Sequence, residues 1–370
     1  MNGTGNFRDI EFFDRENETK QIMDVLKVKP QLLNFIYGPI NSGKTTLITT
    51  LIENLPGGYV VFYINLRGKS IIKYRDFIRV LFTIEEKGLL KKIKGLFKGL
   101  LKHITSAGEK TLYKSHGIPV GESLLETFFK EKSHEDVFVY LEGYFKTIAK
   151  HKTPVLIIDE LQTIGDLKIN GHFIYKLFNF FIRLTKELHI CHVFALSSDS
   201  LFIEKVYNEA MLEGRANYIL VDDFDEQTTK KFLEKFKFGD IDTAIKYFGG
   251  KPGDLRILLE EGKEINSVVQ EKIAEKRRLI SDMLDKLLYV KPKIEMEEGE
   301  EKIPVERDKV IEILKMFKDK EEIRDAGISR AEKIYLSGKN ILFINPQKET
   351  VKIQSRIILT GIREILKELK

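Results

Sequence analysis

Short runs of β-branched and aromatic residues punctuate the first 224 positions, at Leu32–Tyr37, Tyr59–Asn65, Val155–Ile158, His192–Ser197 and Asn217–Val221. Most are almost continuously apolar rather than alternating, as strands buried on both faces should be. The stretches between them carry apolar residues at helical spacing, so the pattern predicts a parallel sheet covered by helices. About 90 residues separate the second run from the third, too many for one crossover, and an inserted helical element is expected near 85–132.

From Asp225 the period becomes helical throughout. Gly249-Gly250-Lys251-Pro252-Gly253 interrupts it, and helical spacing resumes at Asp254. The segment 291–304 combines two prolines, a glycine and five glutamates, which reads as a linker. Beyond it come two or three short helices, a hairpin formed by Ile341–Asn345 and Val351–Gln354, and a closing helix from about Ser355. Helices followed by a hairpin are the pattern of a winged helix-turn-helix. The expected organisation is therefore an α/β core over 1–224, a helical lid over 225–290, a linker over 291–304 and a winged helix-turn-helix over 305–370.

Composition narrows the classes without choosing among them. With 370 residues, 42% of them hydrophobic and 32% charged, the chain has material for two or three folded domains. A net charge of +5 demands neither nucleic acid nor membrane as partner. The single cysteine, Cys191, excludes an internal disulfide and any cysteine-rich metal site. His189-Ile190-Cys191-His192 lacks zinc spacing and reads as core and strand-edge positions. The charged start resembles no signal peptide, and no apolar run reaches the length of a spanning helix, so a cytoplasmic location is expected.

The strongest chemical signal is Gly38-Pro39-Ile40-Asn41-Ser42-Gly43-Lys44-Thr45, which fits G-x-x-x-x-G-K-[ST] between a strand and a helix. Glycines let successive backbone N–H groups turn inward onto phosphate oxygens, Lys44 reaches the β- and γ-phosphates, and the Thr45 hydroxyl can ligate Mg²⁺. Thr46 continues the anion site into the first turn of the helix. Val155–Ile158 ends in Asp159-Glu160, placing one carboxylate to hold Mg²⁺ and the next to polarise an attacking water. Ser197 and Ser198, at the end of another strand, are candidates to sense the γ-phosphate or orient that water.

Taken in this order, the chain resembles the archaeal AAA+-related ATPases of the STAND class. The resemblance runs through Phe12-Phe13-Asp14-Arg15-Glu16-Asn17-Glu18, the phosphate loop, Asp159-Glu160-Leu161-Gln162, Leu212-Glu213-Gly214-Arg215, Gly249-Gly250-Lys251-Pro252 and the tail. The first segment departs from the family in having Asp14 where glycine is usual, which weakens the implied contact with the nucleotide base. The resemblance implies a P-loop NTPase core of the ASCE/AAA+-like class and ATP/ADP as the nucleotide. It implies Arg215 as a finger facing the γ-phosphate, in this chain or toward a neighbour in an oligomer. It also implies Arg256 as a lid arginine, and Pro252 as the residue that reports nucleotide state to the lid.

The function expected is an Mg-ATP-driven switch acting on a macromolecular partner. Two alternatives stay open. One is a DNA-acting ATPase resembling archaeal replication initiators, which share the AAA+ and winged-helix layout. The tail 306–370 carries 15 Lys+Arg against 11 Asp+Glu, and Arg330, Lys333, Lys348, Lys352 and Arg356 are its candidates for phosphate contact on duplex DNA. The other is a nucleotide-holding scaffold that meets protein or membrane through Leu89–Ile104, where leucines, Phe97 and isoleucines line one helical face and lysines the other.

Overall fold

A computed structural model describes residues 13–84, 113–129, 134–165, 167, 173–261, 264–295 and 302–368. The basic segment Leu89–Ile104 lies outside the described residues. The core strands are β1 (Leu33–Tyr37), β2 (Tyr59–Asn65), β4 (Tyr113–Ser115), β6 (Thr153–Asp159), β7 (His192–Ser197) and β8 (Ala216–Leu220), while β3 (Phe82–Ile84) and β5 (Ile118–Val120) pair beside them. They form a six-stranded sheet in the order β4-β2-β6-β7-β1-β8, and every pairing in it is parallel.

Alternate residues of each strand face opposite layers. Phe35, Phe62, Leu156 and Val193 point into one core with the helices Tyr74–Leu81, His134–Ala149 and Phe173–Ile182. Ile36, Val61, Ile157 and Phe194 point into a second core with Glu16–Lys27 and Lys44–Glu53. Both faces are thus dry, which is why the runs are continuously apolar. The insert is not purely helical as expected. Its described part contributes the edge strand β4 and the short strand β5 before the helix Glu122–Phe128. Strands of three residues, one of them set between Gly117 and Gly121, carry too little periodicity to be read as strands.

Helices Glu226–Lys235, Ile241–Phe248 and Pro252–Glu261 make the lid, around Phe232, Leu233, Phe248, Leu255 and Leu258. The helix Ile265–Tyr289 serves two cores. Val268, Val269 and Ile273 belong to the lid, whereas Ile280, Met283, Leu284 and Leu287 pack with the C-terminal module. The linker expected at 291–304 therefore does not separate lid from module, because one continuous helix spans both. Its ends pair as β9 (Lys293–Ile294) and β10 (Ile303–Pro304).

The C-terminal module runs helix Arg307–Lys315, β11 (Glu322–Arg324), helix Arg330–Gly338, β12 (Leu342–Asn345), β13 (Thr350–Ile353) and helix Arg356–Glu368. Its strands pair antiparallel in the order β11-β13-β12, a winged-helix-like arrangement in which β12 and β13 form a hairpin that turns at Pro346–Glu349.

Candidate functional site

Parallel register brings the functional loops to one edge of the sheet. Tyr37 pairs with Ser197 and Asn65 with Asp159, so the chain leaves β1, β2, β6 and β7 side by side. The phosphate loop follows β1, and Gly43, at φ +94°, turns it into the helix that starts at Lys44. Gly38 must stay bare, because a Cβ there would lie 2.0 Å from the Val221 carbonyl oxygen.

A cavity of about 380 Å³ opens over this edge, a size suited to a nucleotide-sized ligand. Asn41, Ser42, Gly43, Lys44, Thr45 and Thr46 form its floor, Ser198 and Arg67 one wall, and Pro252, Gly253 and Arg256 of the lid another. Phe13, Phe224 and Phe232 supply an aromatic end. Phe13 stands edge-on to Phe232, with ring centroids 5.4 Å apart. Asp14, one residue on, has φ +44°. That left-handed backbone explains why glycine is the usual residue there, and the Asp14 carboxylate accepts from the Thr228 hydroxyl in compensation.

Lys44 is buried, and its Nζ donates to the carbonyls of Gly38 (3.0 Å) and Pro39 (2.7 Å). Burial, helped by the nearby Lys251 charge, pulls its pKa down to about 7. A phosphate beside it would favour the charged form again. The Thr45 hydroxyl donates to Asp159 Oδ2 at 3.0 Å, which brings the two expected magnesium ligands together. The same oxygen accepts from the Tyr63 hydroxyl at 2.8 Å. Buried Asp159 therefore has a fixed orientation, and a hard cation suits this hydroxyl–carboxylate pair. Magnesium bound there would supply charge neutralisation for phosphate oxygens.

Glu160 adopts φ +61° at the head of the short 3₁₀ turn Leu161–Ile164. Its Oε1 accepts from the Arg67 guanidinium, through Nε at 3.0 Å and also through Nη2. Its Oε2 accepts from Gln162 Nε2 at 2.5 Å. Ser197 Oγ donates to Gln162 Oε1 at 2.8 Å, so it is Ser197 that joins this network while Ser198 lines the cavity.

Arg15, also buried, donates from Nη2 to the carbonyls of Ser42 and Asp222, both at 2.7 Å, and lies 4.6 Å over the Phe224 ring. It fastens the phosphate loop to the start of the lid. Arg67, Arg15 and Gln162 were not singled out individually by sequence. Arg15 and Gln162 were legible only as parts of a resemblance, and no local pattern marks Arg67 as the partner of Glu160.

Of the two candidate arginines, Arg256 reaches the cavity, where it pairs with Glu260 at 2.7 Å. Arg215 does not. It precedes β8 at the opposite end of the sheet from the phosphate loop, because in a parallel sheet the N-terminal end of one strand lies beside the N-terminal end of its neighbour. Its carbonyl accepts from the Leu33 amide and its Nη1 donates to the Met211 carbonyl. A finger acting within the chain is excluded by that placement. Among the candidates for DNA contact, Arg330 and Lys348 are exposed. Lys333, by contrast, is buried between Glu204 and Asp325, both at 2.8 Å. Lys352 pairs with Asp222, and Arg356 with Glu321 at 2.9 Å. Two of these side chains, Lys333 and Lys352, hold the module onto the core rather than facing outward.

Residues 12–258 match the family described as "ATPase domain predominantly from Archaea". The chain belongs to this archaeal ATPase family. Residues 266–366 match a second model, "Uncharacterized ATP-binding protein MJ1010-like, C-terminal domain". That match begins at the long helix, in keeping with its place in the core of the C-terminal module. Full-length relatives include an ATP-binding protein of Methanocaldococcus jannaschii, 48% identical, with 98% of this chain and 99% of the relative covered. An ATP-binding protein of Pyrococcus abyssi is 41% identical, covering 97% of this chain and 99% of its own. Among solved structures, the Walker-type ATPase of Pyrococcus abyssi superimposes with a TM-score of 0.60 at 17% identity, over 98% of this chain and 99% of that one. The protein is an ATP-binding member of an ATPase family, built as a P-loop core, a helical lid and a separate C-terminal module.

Proposed function

We propose that the chain is a STAND-type, Mg-ATP-driven switch that acts on a macromolecular partner. The supporting observation is that lid and C-terminal module both hold the backbone of the phosphate loop itself. The Gly253 amide donates to the Asn41 carbonyl at 3.1 Å. Lys251 Nζ donates to the Ile40 carbonyl at 3.0 Å and to Asp223. From the module, Gln354 Oε1 accepts from the Ile40 amide at 3.3 Å, and Asn345 Oδ1 accepts from the Tyr37 hydroxyl at 3.0 Å. Of these groups the Ile40 amide is the backbone donor that a phosphate can also engage, while the Asn41 and Ile40 carbonyls hold donors of the lid, so a loop that shifts around phosphate bears on core, lid and module at once. In this mechanism Thr45 and Asp159 hold Mg²⁺, Lys44 holds phosphate oxygens and Glu160 orients the water. Arg67 is shared between Glu160 and the incoming nucleotide.

The DNA-acting alternative keeps Arg330 and Lys348, which are exposed, as contacts for phosphate on the docked module, and only Lys333 and Lys352 would need the module to leave the core. Steady-state Mg-ATP turnover with and without duplex DNA separates the readings, with Glu160→Gln as control. Slow turnover indifferent to DNA is the expected result, with Glu160→Gln binding ATP but turning over on the order of 10²–10⁴-fold more slowly. Strong stimulation by DNA would instead make the module a DNA reader.

A further inference from the structure

We propose that Gln162 is the positioning residue for Glu160, with its amide set by Ser197; this rests on the reading that Glu160 orients the attacking water. Three features of the local geometry converge on it. First, Glu160 occupies left-handed backbone at φ +61°, ψ +44°, although it is neither glycine nor asparagine. That conformation turns its carboxylate away from the line of β6, and such strain persists only where surrounding contacts hold it. Second, the two carboxylate oxygens have different partners. Oε1 is held by Arg67, whose side chain is 62% exposed and lines the nucleotide cavity, so an anionic ligand can draw it away. Oε2 is held by Gln162, a partly buried amide with no charge to attract a phosphate. Gln162 is therefore the contact that stays when Arg67 leaves.

Third, the direction of the amide is determined. Ser197 Oγ accepts from the Asp199 amide at 3.1 Å, and its own proton goes to Gln162 Oε1 at 2.8 Å in preference to the Asp199 carbonyl at 3.5 Å. Reversing the amide would set its oxygen against the Glu160 carboxylate, two acceptors face to face. Ser197 ends β7 and Asp199 caps the following helix Ser200–Tyr207, whose Glu204 is the ion-pair partner of Lys333 in the C-terminal module. Gln162 thus ties the reacting carboxylate to the strand and helix against which that module packs. The sequence signals Gln162 only as the last residue of the Asp159-Glu160-Leu161-Gln162 run, two residues beyond Glu160, and says nothing of its contact with Ser197.

The test is steady-state ATP turnover in Gln162→Leu, Gln162→Glu, Ser197→Ala and the Ser197→Ala/Gln162→Leu double variant, with ATP affinity measured separately by a fluorescent analogue. Leucine keeps the volume and loses both hydrogen bonds. Glutamate keeps an acceptor for Ser197 but cannot donate to Glu160. Both single Gln162 variants should lose at least tenfold in kcat with ATP affinity within twofold of wild type. Ser197→Ala should lose less, and the double variant should be no slower than Gln162→Leu alone, because both act through one amide. Wild-type kcat in Gln162→Glu, a loss confined to KM, or losses that multiply in the double variant would overturn the proposal. Glu160→Gln separates the two readings. If it turns over at the wild-type rate, the role of Glu160 itself fails. If it is dead while Gln162→Glu is fully active, only the positioning role fails.

Discussion

At the scale of single residues, charges and backbone angles at this site were only partly readable in advance. Lys44, Thr45, Asp159 and Glu160 stand in local patterns whose chemistry dictates their spacing, and the fold brings them to one edge. Arg67 acts through a contact 93 residues away in sequence, so nothing in its immediate neighbours announces it, and Gln162 was readable only as the last residue of the Asp159-Glu160-Leu161-Gln162 resemblance, without its role. Arg215 was assigned by resemblance, and sheet direction places it at the far end. His192 shows a buried group with a measurable consequence. It is 1% exposed, its Nε2 has no hydrogen-bond partner, and burial pushes its pKa down from 6.5 to about 4. Between those values the unfolded imidazole binds a proton that the native one refuses, so stability is complete above pH 6.5 and falls as pH drops toward 4. The loss should approach about 3 kcal/mol. Denaturant unfolding of His192→Gln across pH 4–7 should show a shallower acid limb than wild type; identical limbs would mean His192 does not set it.

At the scale of elements, the four central strands β2, β6, β7 and β1 were legible because burial on both faces leaves a continuous apolar run, and the half-buried edge strand β8 because its five residues are still mostly apolar. The edge strand β4 was missed because three residues are too few for any period to show. The lid helix Pro252–Glu261 gives a sharper prediction. A Cβ on Gly253 would come within 2.6 Å of the Asn41 Cβ, so glycine is what lets this helix lie on the phosphate loop. Gly253→Ala should push lid and loop apart by a fraction of an ångström to about 1 Å, and displacement on that scale costs up to about 10²-fold in turnover. The core should still fold, read as an unchanged far-ultraviolet circular dichroism spectrum. Wild-type turnover in Gly253→Ala would show that lid contact with the loop is irrelevant to hydrolysis.

At the scale of the whole molecule, the C-terminal module was recognisable in sequence by its helices and hairpin, but its docking was not. The lysines that read as a DNA-facing cluster are in part the clamps of an internal interface, since Lys333 meets Glu204 and Lys352 meets Asp222 across more than 100 residues of sequence. Ion pairs of this kind depend on which surfaces meet, and composition does not carry that information. The boundary at 291–304 was drawn at a change in composition, whereas the helix Ile265–Tyr289 ties lid and module mechanically. No helix among the described residues is long and apolar enough to cross a membrane. The measurement that bears most directly on a nucleotide-driven switch is hydrogen exchange over 342–354, the C-terminal hairpin and its Gln354 contact, in Glu160→Gln saturated with ADP or with ATP. If nucleotide state is passed from the phosphate loop to the module, protection there differs between the two nucleotides; identical exchange at full occupancy of both would contradict the switch.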